Sequence, residues 1–417
     1  MSIISNFNPL DLQRASFLNH LLPGITLRDY QTRAAIHIAK TDKQLLAFDT
    51  GLGKTVSMVA GLVANRNLHG RSKILFLCPL AGMNQVYKTF KAYTRFNVVK
   101  FTGSEAGVKR FYSQIEDGVD VILCNYEAFD NPEVLQVMLQ LSNKNFFDIV
   151  CLDEAHVVAN MYTSNRNFFI CTLASKIKKK YFLTATPIIS TPAQYATLLA
   201  IMLDKLNDYG SVMHRVKAGH YLHHVVPNLV QFKERKVNYE VKLHSTPAIE
   251  VPYTLYGTEI FKHTRGKKNK SMEEKLKELI LQNKEKLLIF SHLKSNHAYL
   301  TSIVEELGLR VGVISGDTNK ERVQEQFNSD QLDCVIFSIP TELNLPAKAI
   351  ILYDWTSLAH QAIGRGIRSE SAEGYTAHIL LSETSKEVSL FENTVIKNSV
   401  YLSETFGKDI KQLLKLK

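Results

Sequence analysis

The sequence has no long apolar segment and no secretory signal. Its 417 residues contain no uninterrupted apolar run of about 18 residues, so no membrane-spanning helix is expected. The first residues, MSIISNFNPLDLQ, lack a basic stretch followed by an apolar core, so no secretory leader is expected either. These two absences predict a cytoplasmic protein that does not associate with a membrane.

Cysteines are few and unpaired in sequence. They form no Cys-x-x-Cys pair, and four of them lie inside apolar runs. This pattern is typical of reduced, buried thiols and not of a zinc site or a disulfide framework. The five cysteines are Cys78, Cys124, Cys151, Cys171 and Cys334.

The composition is that of a globular protein with a basic bias. Apolar residues make up 45% of the chain and charged residues 22%, which argues against disorder and against fibres. The 50 Lys and Arg residues exceed the 40 Asp and Glu residues, which gives a formal net charge of +10. This moderate excess favours a polyanionic partner such as nucleic acid. The length predicts two or three domains.

Short apolar runs recur in two series, separated by amphipathic stretches such as residues 272–283 and 297–308. Continuous apolar runs are typical of strands that are buried on both faces of a parallel sheet. Alternation of such strands with helices predicts an α/β fold with two units. The first series comprises residues 73–79, 119–126, 147–156 and 181–187. The second comprises residues 286–292, 310–316, 334–340, 349–355 and 377–384.

These patterns suggest a division of the chain. We expect an N-terminal accessory segment over residues 1–24, a first domain over 25–203, a connection with a small accessory element over 204–271, and a second domain over 272–417. The connection contains the basic run RGKKNK at residues 265–270. Such a run is either a solvated loop or an element that contacts phosphates.

The stretch AFDTGLGKT resembles a phosphate-binding loop between a strand and a helix. Gly51 and Gly53 allow the backbone N–H groups to turn towards phosphates, and the following helix adds its positive dipole end. Lys54 would reach the β- and γ-phosphates, and the Thr55 hydroxyl would ligate Mg²⁺. The general pattern has glycine where Phe48 stands, so a chance glycine-rich turn remains an alternative for this stretch alone.

A second signal is LDEAH, at the end of an apolar strand. Asp153 can hold Mg²⁺ through water, and the adjacent Glu154 can polarise an attacking water molecule. Helix capping would explain either carboxylate separately but explains the combination with GLGKT poorly.

A third signal is QAIGRGIR in the second series of strands. Arg365 and Arg368 are three residues apart, so on a helix they share a face. Guanidinium groups near a γ-phosphate would stabilise the charge that spreads during phosphoryl transfer. This assignment predicts that ATP lies in a cleft between the two domains, whereas the alternative is a basic surface helix.

The ordered motifs resemble those of superfamily 2 helicases and translocases over about residues 27–384. They read LRDYQ, AFDTGLGKT, CPLAGMNQ, TG at residues 102–103, NYE, DEAH, TATP, IFSH, ISGDTNKERVQEQF and QAIGRGIR. The fold that this resemblance implies is two tandem RecA-like domains, with parallel sheets flanked by helices and ATP and Mg²⁺ in the interdomain cleft.

The resemblance also implies a role for each matching residue. ATP binding is assigned to Arg28, Gln31, Thr50, Gly51, Leu52, Gly53, Lys54 and Thr55, and Mg²⁺ binding to Thr55 and Asp153. Hydrolysis is assigned to Lys54, Asp153, Glu154, Gln361, Arg365 and Arg368. DNA contacts are assigned to Pro79, Thr102, Gly103, Asn125, Tyr126, Ser291, His292, Gly316 and Ser338. Coupling between the ATP and DNA sites is assigned to Thr184 and Thr186.

Within the superfamily, the pattern is most similar to Swi/Snf-type translocases and to compact phage branch-migration helicases of the UvsW type. The resemblance implies a monomeric ATP-dependent DNA helicase or translocase, in a bacterial or phage-infected host cytoplasm, that acts on single-stranded, forked or junction DNA. One motif departs, because FSIPTELNLP has Glu342 where relatives carry glycine. This departure keeps open the alternative of a remodelling translocase without strand separation. An RNA helicase is a second alternative.

Overall fold

The chain folds into two compact α/β units that divide at residues 234–235. The computed structural model describes residues 26–48, 51–114, 118–185, 192–217, 229–230, 239–316, 318–338, 345–354, 359–366 and 374–392. None of the helices in this described part is both long and apolar enough to cross a membrane. All five cysteines are buried and free, as their apolar surroundings predicted.

The first unit contains a parallel sheet of seven strands in the order β3-β4-β2-β5-β6-β1-β7. Its central strands are buried along their whole length, because helices cover both faces and every side chain position is apolar or paired. The strands are β1 (Lys43–Leu46), β2 (Ile74–Cys78), β3 (Val98–Phe101), β4 (Val121–Asn125), β5 (Ile149–Asp153), β6 (Lys179–Leu183) and β7 (Leu229–Val230).

Eight helices connect these strands in the described part of the first unit. Most are amphipathic and turn an apolar stripe towards the sheet. The helices are α1 (Asp29–Lys40), α2 (Lys54–His69), α3 (Met83–Tyr93), α4 (Glu105–Gln114), α5 (Pro132–Asn143), α6 (Asn165–Lys176), α7 (Pro192–Met202) and α8 (Tyr209–Lys217). Short 3-10 turns follow several strands, at Leu80–Gly82, Tyr126–Asp130, Ala155–Val157, Met161–Thr163 and Leu206–Asp208.

The second unit contains a parallel sheet of six strands in the order β10-β11-β9-β12-β13-β8. The strands are β8 (Tyr239–Thr246), β9 (Leu287–Phe290), β10 (Val311–Ile314), β11 (Cys334–Phe337), β12 (Ala349–Leu352) and β13 (Tyr375–Ser382). The helices are α9 (Phe261–Thr264), α10 (Lys270–Gln282), α11 (His297–Glu306), α12 (Lys320–Asn328), α13 (Ala359–Gly366) and α14 (Ser385–Phe391), with 3-10 turns at Gly257–Ile260 and Lys294–Asn296. Apolar clusters cover both faces of the sheet.

The two sheets have the same topology. When the strands of each unit are counted from its own first strand, both sheets run in the order 3-4-2-5-6-1, and β7 adds a seventh strand only to the first. The prediction of two tandem RecA-like domains, each with a parallel sheet flanked by helices, is therefore confirmed at the level of each unit.

The division of the chain differs from the expected one. Residues 204–271 were expected to form a connection, but β8 lies in the second sheet and pairs with β13 over eight residues. The second unit therefore begins well before residue 272. Because β8 is an edge strand with several exposed side chains, it lacks the continuous apolar run by which the buried strands were recognised.

A fully buried ion pair joins four segments of the second unit. Arg265 donates to both carboxylate oxygens of Glu387, at 2.7 and 3.1 Å, and both side chains have no exposed surface. The guanidinium also donates to the carbonyl oxygens of Tyr353 and Leu380, while the Ser382 N–H donates to Glu387 at 3.0 Å. Arg265 was expected in a solvated or phosphate-contacting run. That expectation is wrong for this residue, because its charge is neutralised inside the core.

We predict that Glu387→Ala lowers the free energy of unfolding of the second unit by about 3–5 kcal/mol, because it leaves the Arg265 charge buried without its partner. Urea unfolding followed by the fluorescence of Trp355, the single tryptophan, measures this loss. Glu259→Ala is the matched control, since Glu259 pairs with Lys262 while about half exposed, and we expect a loss below about 1 kcal/mol. Equal losses in the two variants would contradict the prediction.

Candidate functional site

The predicted phosphate loop has a left-handed backbone at two glycines. Gly51 and Gly53 have φ values of 76° and 75°. Gly53 is also the N-cap of α2, and a Cβ atom there would lie 2.4 Å from Nε2 of Gln31. Any other residue at position 53 would therefore be strained and would displace Gln31. Thr50, assigned to the same loop, lies outside the described residues.

Lys54 is the first residue of α2 and folds back over the loop. Its Nζ atom donates to the backbone carbonyl of Phe48 at 3.1 Å, and the residue is buried. The Phe48 side chain is buried in the core, so the site uses only the main chain of this residue. This explains how the loop tolerates phenylalanine where the general pattern has glycine. The N-terminus of a 16-residue helix behind Lys54 favours bound anions.

Thr55 and Asp153 come together as the sequence predicted. The Thr55 hydroxyl donates to Oδ2 of Asp153 at 3.3 Å, at the carboxyl end of β5. Burial, followed by the charge of Glu154, raises the pKa of Asp153 above its usual range, while Lys54 acts in the opposite direction. A hydroxyl and a carboxylate oxygen are ligands that Mg²⁺ prefers, so the residues present fit a bound Mg²⁺ and nucleotide.

Glu154 lies next to His156 and is connected through it to Thr184. Glu154 has a φ of 52°, a left-handed conformation that turns the chain sharply after β5. Nδ1 of His156 lies 3.3 Å from Oε2 of Glu154 and 2.9 Å from the hydroxyl of Thr184. Burial lowers the pKa of His156, and the nearby Glu154 partly offsets this effect. The structure thus connects Thr184 to the DEAH sequence, whereas Thr186 lies outside the described residues.

Gln31, one of the residues assigned to ATP binding, lies directly against the phosphate loop. Oε1 of Gln31 accepts from the Arg28 N–H at 3.0 Å, and its Nε2 donates to the carbonyl of Leu52 at 3.1 Å. An amide has a second hydrogen and a second lone pair, so Gln31 retains the capacity to bind a base edge. Tyr30, which sequence reasoning missed, also donates to the Leu52 carbonyl, at 3.0 Å.

Five predicted DNA contacts of the first unit follow the carboxyl ends of β2, β3 and β4. Pro79 and Thr102 lie just beyond strand ends, and Gly103 approaches the short turn after β4 so closely that a Cβ atom would lie 2.9 Å from a backbone carbon. Asn125 is buried and donates to Glu127 at 3.0 Å. Tyr126 is fully buried and donates to the carbonyl of Asp153 at 2.7 Å.

The structure gives the Tyr126 side chain a structural role, and the assignment of this residue to DNA binding stays a prediction. A side chain without exposed surface does not reach DNA in this conformation, and its hydroxyl instead fixes the backbone at Asp153. Asn125 is similarly enclosed, so its side chain shapes the loop and does not form an open contact surface.

Predicted DNA contacts of the second unit divide into buried and exposed residues. Ser291 is fully buried and donates to Asp354, and Ser338 is almost fully buried at the end of β11. His292 and Gly316 are exposed. The Ser291 hydroxyl is therefore engaged inside the unit, and the assignment of Ser291 to DNA binding stays a prediction.

Asp354 organises the loop after β9 and was not anticipated. Its carboxylate accepts from the Ser291 hydroxyl, from the His292 N–H at 2.6 Å and from Nδ2 of Asn296 at 3.0 Å. Burial raises its pKa above the usual range. The only signal in the sequence was an acidic residue just after an apolar strand, which does not reveal its partners.

Arg365 lies in the last turn of α13 and is buried. The side chain of Gln361 and the whole of Arg368 lie outside the described residues. The predicted cleft between the domains, with Arg365 facing ATP, stays a prediction.

Comparison with known proteins assigns the family. The model of the SNF2-related domain matches residues 30–244, just over half of the chain. The uncharacterized ATP-dependent helicase YqhH of Bacillus subtilis is 27% identical over 187 residues, which cover 43% of this chain and 30% of that protein. The human DNA excision repair protein ERCC-6-like is 31% identical over 147 residues, which cover 34% of this chain and 11% of that protein.

The aligned parts therefore span less than a third of these relatives. Among solved structures, the Sulfolobus solfataricus SWI2/SNF2 ATPase core in complex with dsDNA aligns with 94% of this chain and 95% of that chain, at 16% identity and a TM-score of 0.44. The matched domain contains the phosphate loop, the DEAH sequence and Thr184 in one unit. The chain therefore belongs to the SNF2-related family.

Proposed function

We propose that this protein is an ATP-driven DNA translocase that acts on forked or branched DNA. One observation carries the ATP part: Thr55 on the phosphate loop hydrogen-bonds to Asp153, next to Glu154, within a single unit. The family match and the ATP-dependent helicase among the relatives support the same activity. DNA as the substrate is supported by the net charge of +10 and by the relative named as a DNA excision repair protein.

The residues of the site have distinct tasks in hydrolysis. Bound ATP would supply the phosphate bond that is cleaved, and Mg²⁺ would stabilise the negative charge on the phosphates. Lys54 and the loop N–H groups would hold the phosphates, while Thr55 and Asp153 offer oxygen ligands. The Glu154 carboxylate would accept a proton from the attacking water molecule. His156 lies 3.3 Å from that carboxylate and would keep it oriented.

Coupling to DNA would pass through Thr184. Its hydroxyl lies 2.9 Å from His156, and its N–H donates to the carbonyl of Leu46 at 3.2 Å. Thr184 therefore connects the DEAH sequence with the strand that leads into the phosphate loop. A shift in the segment after β6 on DNA binding would change the environment of Glu154 through this connection.

The resemblance to compact branch-migration helicases supports three further parts of the proposal. These are a preference for forks and junctions, a monomeric state, and a location in a bacterial or phage-infected cytoplasm. The altered motif around Glu342 favours a second candidate, a translocase that remodels nucleic-acid complexes without separating strands. An RNA helicase is the third.

The first prediction from the proposed function concerns which nucleic acids activate ATP hydrolysis. We expect forked and four-way-junction DNA to stimulate ATP hydrolysis more than single-stranded or duplex DNA, and RNA to stimulate it least. Steady-state ATPase assays with each nucleic acid, together with strand separation of a labelled fork, measure this order. Strong stimulation without strand separation would favour the remodelling translocase, and stimulation by RNA alone would contradict a DNA substrate.

The second prediction concerns hydrolysis. Glu154→Gln should lower the ATPase rate by about 10²–10⁴-fold, the contribution of a general base, while ATP still binds. Lys54→Ala should lose both binding and hydrolysis. Glu133→Gln, the same change at an exposed residue of α5, is the control and should hydrolyse ATP normally. A near-normal rate in Glu154→Gln would overturn the site assignment.

The third prediction concerns coupling. Thr184→Ala removes the hydroxyl that contacts His156 and should lower the DNA-stimulated ATPase rate by more than it lowers the basal rate. Thr184→Ser keeps a hydroxyl and should retain most of the stimulation. Parallel measurements with and without fork DNA test this difference, and equal loss of the two rates in Thr184→Ala would assign Thr184 a purely structural role.

A further inference from the structure

Tyr30 contacts both described ends of the phosphate loop. Its hydroxyl donates to the carbonyl of Leu52 at 3.0 Å. Its ring packs edge-on against Phe48, with ring centroids 5.5 Å apart and an interplanar angle of 77°. Phe48 is also the residue whose carbonyl accepts from Lys54. The Tyr30 side chain on α1 therefore contacts the loop on both sides of residues 49–50.

The hydrogen bond at Leu52 determines the direction of the next N–H group. Every described peptide bond is trans, so the carbonyl of Leu52 and the N–H of Gly53 point in opposite directions. Tyr30 and Gln31 hold the carbonyl on the side of α1. The Gly53 N–H must then point away from α1, and it would face an anion that binds on that side of the loop.

Glycine at position 53 makes this restraint necessary. Glycine has the least restricted backbone of any residue, and here it occupies a left-handed conformation with a φ of 75°. Without an external restraint the Leu52–Gly53 peptide could rotate among several orientations. The loop would then have to be ordered each time a nucleotide binds, which would weaken binding.

We propose that the Tyr30 hydroxyl is a positioning group that preorders the phosphate loop, and that it acts on the phosphates of ATP and not on the base. This inference rests on the proposed ATP-binding function. The Gln31 amide shares the Leu52 carbonyl, so Tyr30 contributes one of two described hydrogen bonds to it.

Tyr30→Phe tests the inference, because it removes only the hydroxyl and keeps the ring against Phe48. We expect the KM for ATP and the Kd for Mg²⁺–ADP, measured by calorimetry, to rise about three- to tenfold, the effect of one ordinary hydrogen bond. The rate constant kcat should change less than twofold, because Glu154 and its neighbours are untouched.

Tyr181→Phe is the matched control. The Tyr181 hydroxyl also donates to a backbone carbonyl of the first unit, that of Thr41 at 2.7 Å, but at the opposite end of β1 from the loop. This variant should lower thermal stability and leave the KM for ATP unchanged. A rise in KM of similar size in both variants would show that any lost hydrogen bond weakens the site, and would overturn the specific role of Tyr30.

Two competitive inhibitors distinguish an effect on phosphate binding from an effect on base binding. For Tyr30→Phe we expect the inhibition constant of inorganic tripolyphosphate to rise by the same factor as the KM for ATP, and that of adenosine to stay unchanged. A rise for adenosine alone, or no change in any constant, would overturn the inference. Failure of the unmodified protein to bind Mg²⁺–ADP would instead overturn the proposed function itself.

Discussion

The ATP site depends on the left-handed backbone at Gly53. This conformation ends the loop and begins α2, so that Lys54 becomes the first helical residue and Thr55 the second. From these positions Lys54 folds back to Phe48, and Thr55 meets Asp153 on a strand almost a hundred residues later. Gln31 lies so close to Gly53 that a Cβ atom there would displace the Gln31 amide. A single backbone conformation therefore determines the placement of the cationic, hydroxyl and amide groups together.

Parallel strands explain why distant motifs could be assigned from the sequence. The carboxyl ends of parallel strands lie at one edge of a sheet, so motifs that follow apolar runs must converge there. Apolar runs identified most of the buried strands, although the short strand β3, which Lys100 interrupts, was not among them. The loop and DEAH residues met as expected. The edge strand β8 was assigned to a connection because an exposed face breaks the apolar run. Local patterns thus predict buried elements and the residues that directly follow them.

Residues whose role depends on a remote partner could not be predicted in this way. Arg265 stands in a basic run, yet it pairs with Glu387, 122 residues away, inside the core. Ser291 and Tyr126 occupy motif positions typical of nucleic-acid contacts, but their hydroxyls donate to Asp354 and to a backbone carbonyl. A sequence shows that a side chain can donate a hydrogen bond but not which acceptor the fold brings to it. Burial then decides between a surface contact and a structural one.

The same topology occurs twice, but among the described residues only the first copy has a glycine loop and a helix start directly after its first strand. β12 has the position in its sheet that β5 has in the other, and a buried carboxylate lies at or just beyond the carboxyl end of each. Asp153 faces Thr55 and the charge of Lys54, whereas Asp354 accepts hydrogen bonds from three neutral donors, and its nearby charge is Arg265. This difference arises from the segment that follows the first strand of each unit. β1 leads into the glycine loop and α2, while residues 247–256 after β8 contain two prolines and no helix. Without a helix start there, the second unit places no phosphate-loop lysine beside its carboxylate, and Asp354 instead fixes the loop after β9.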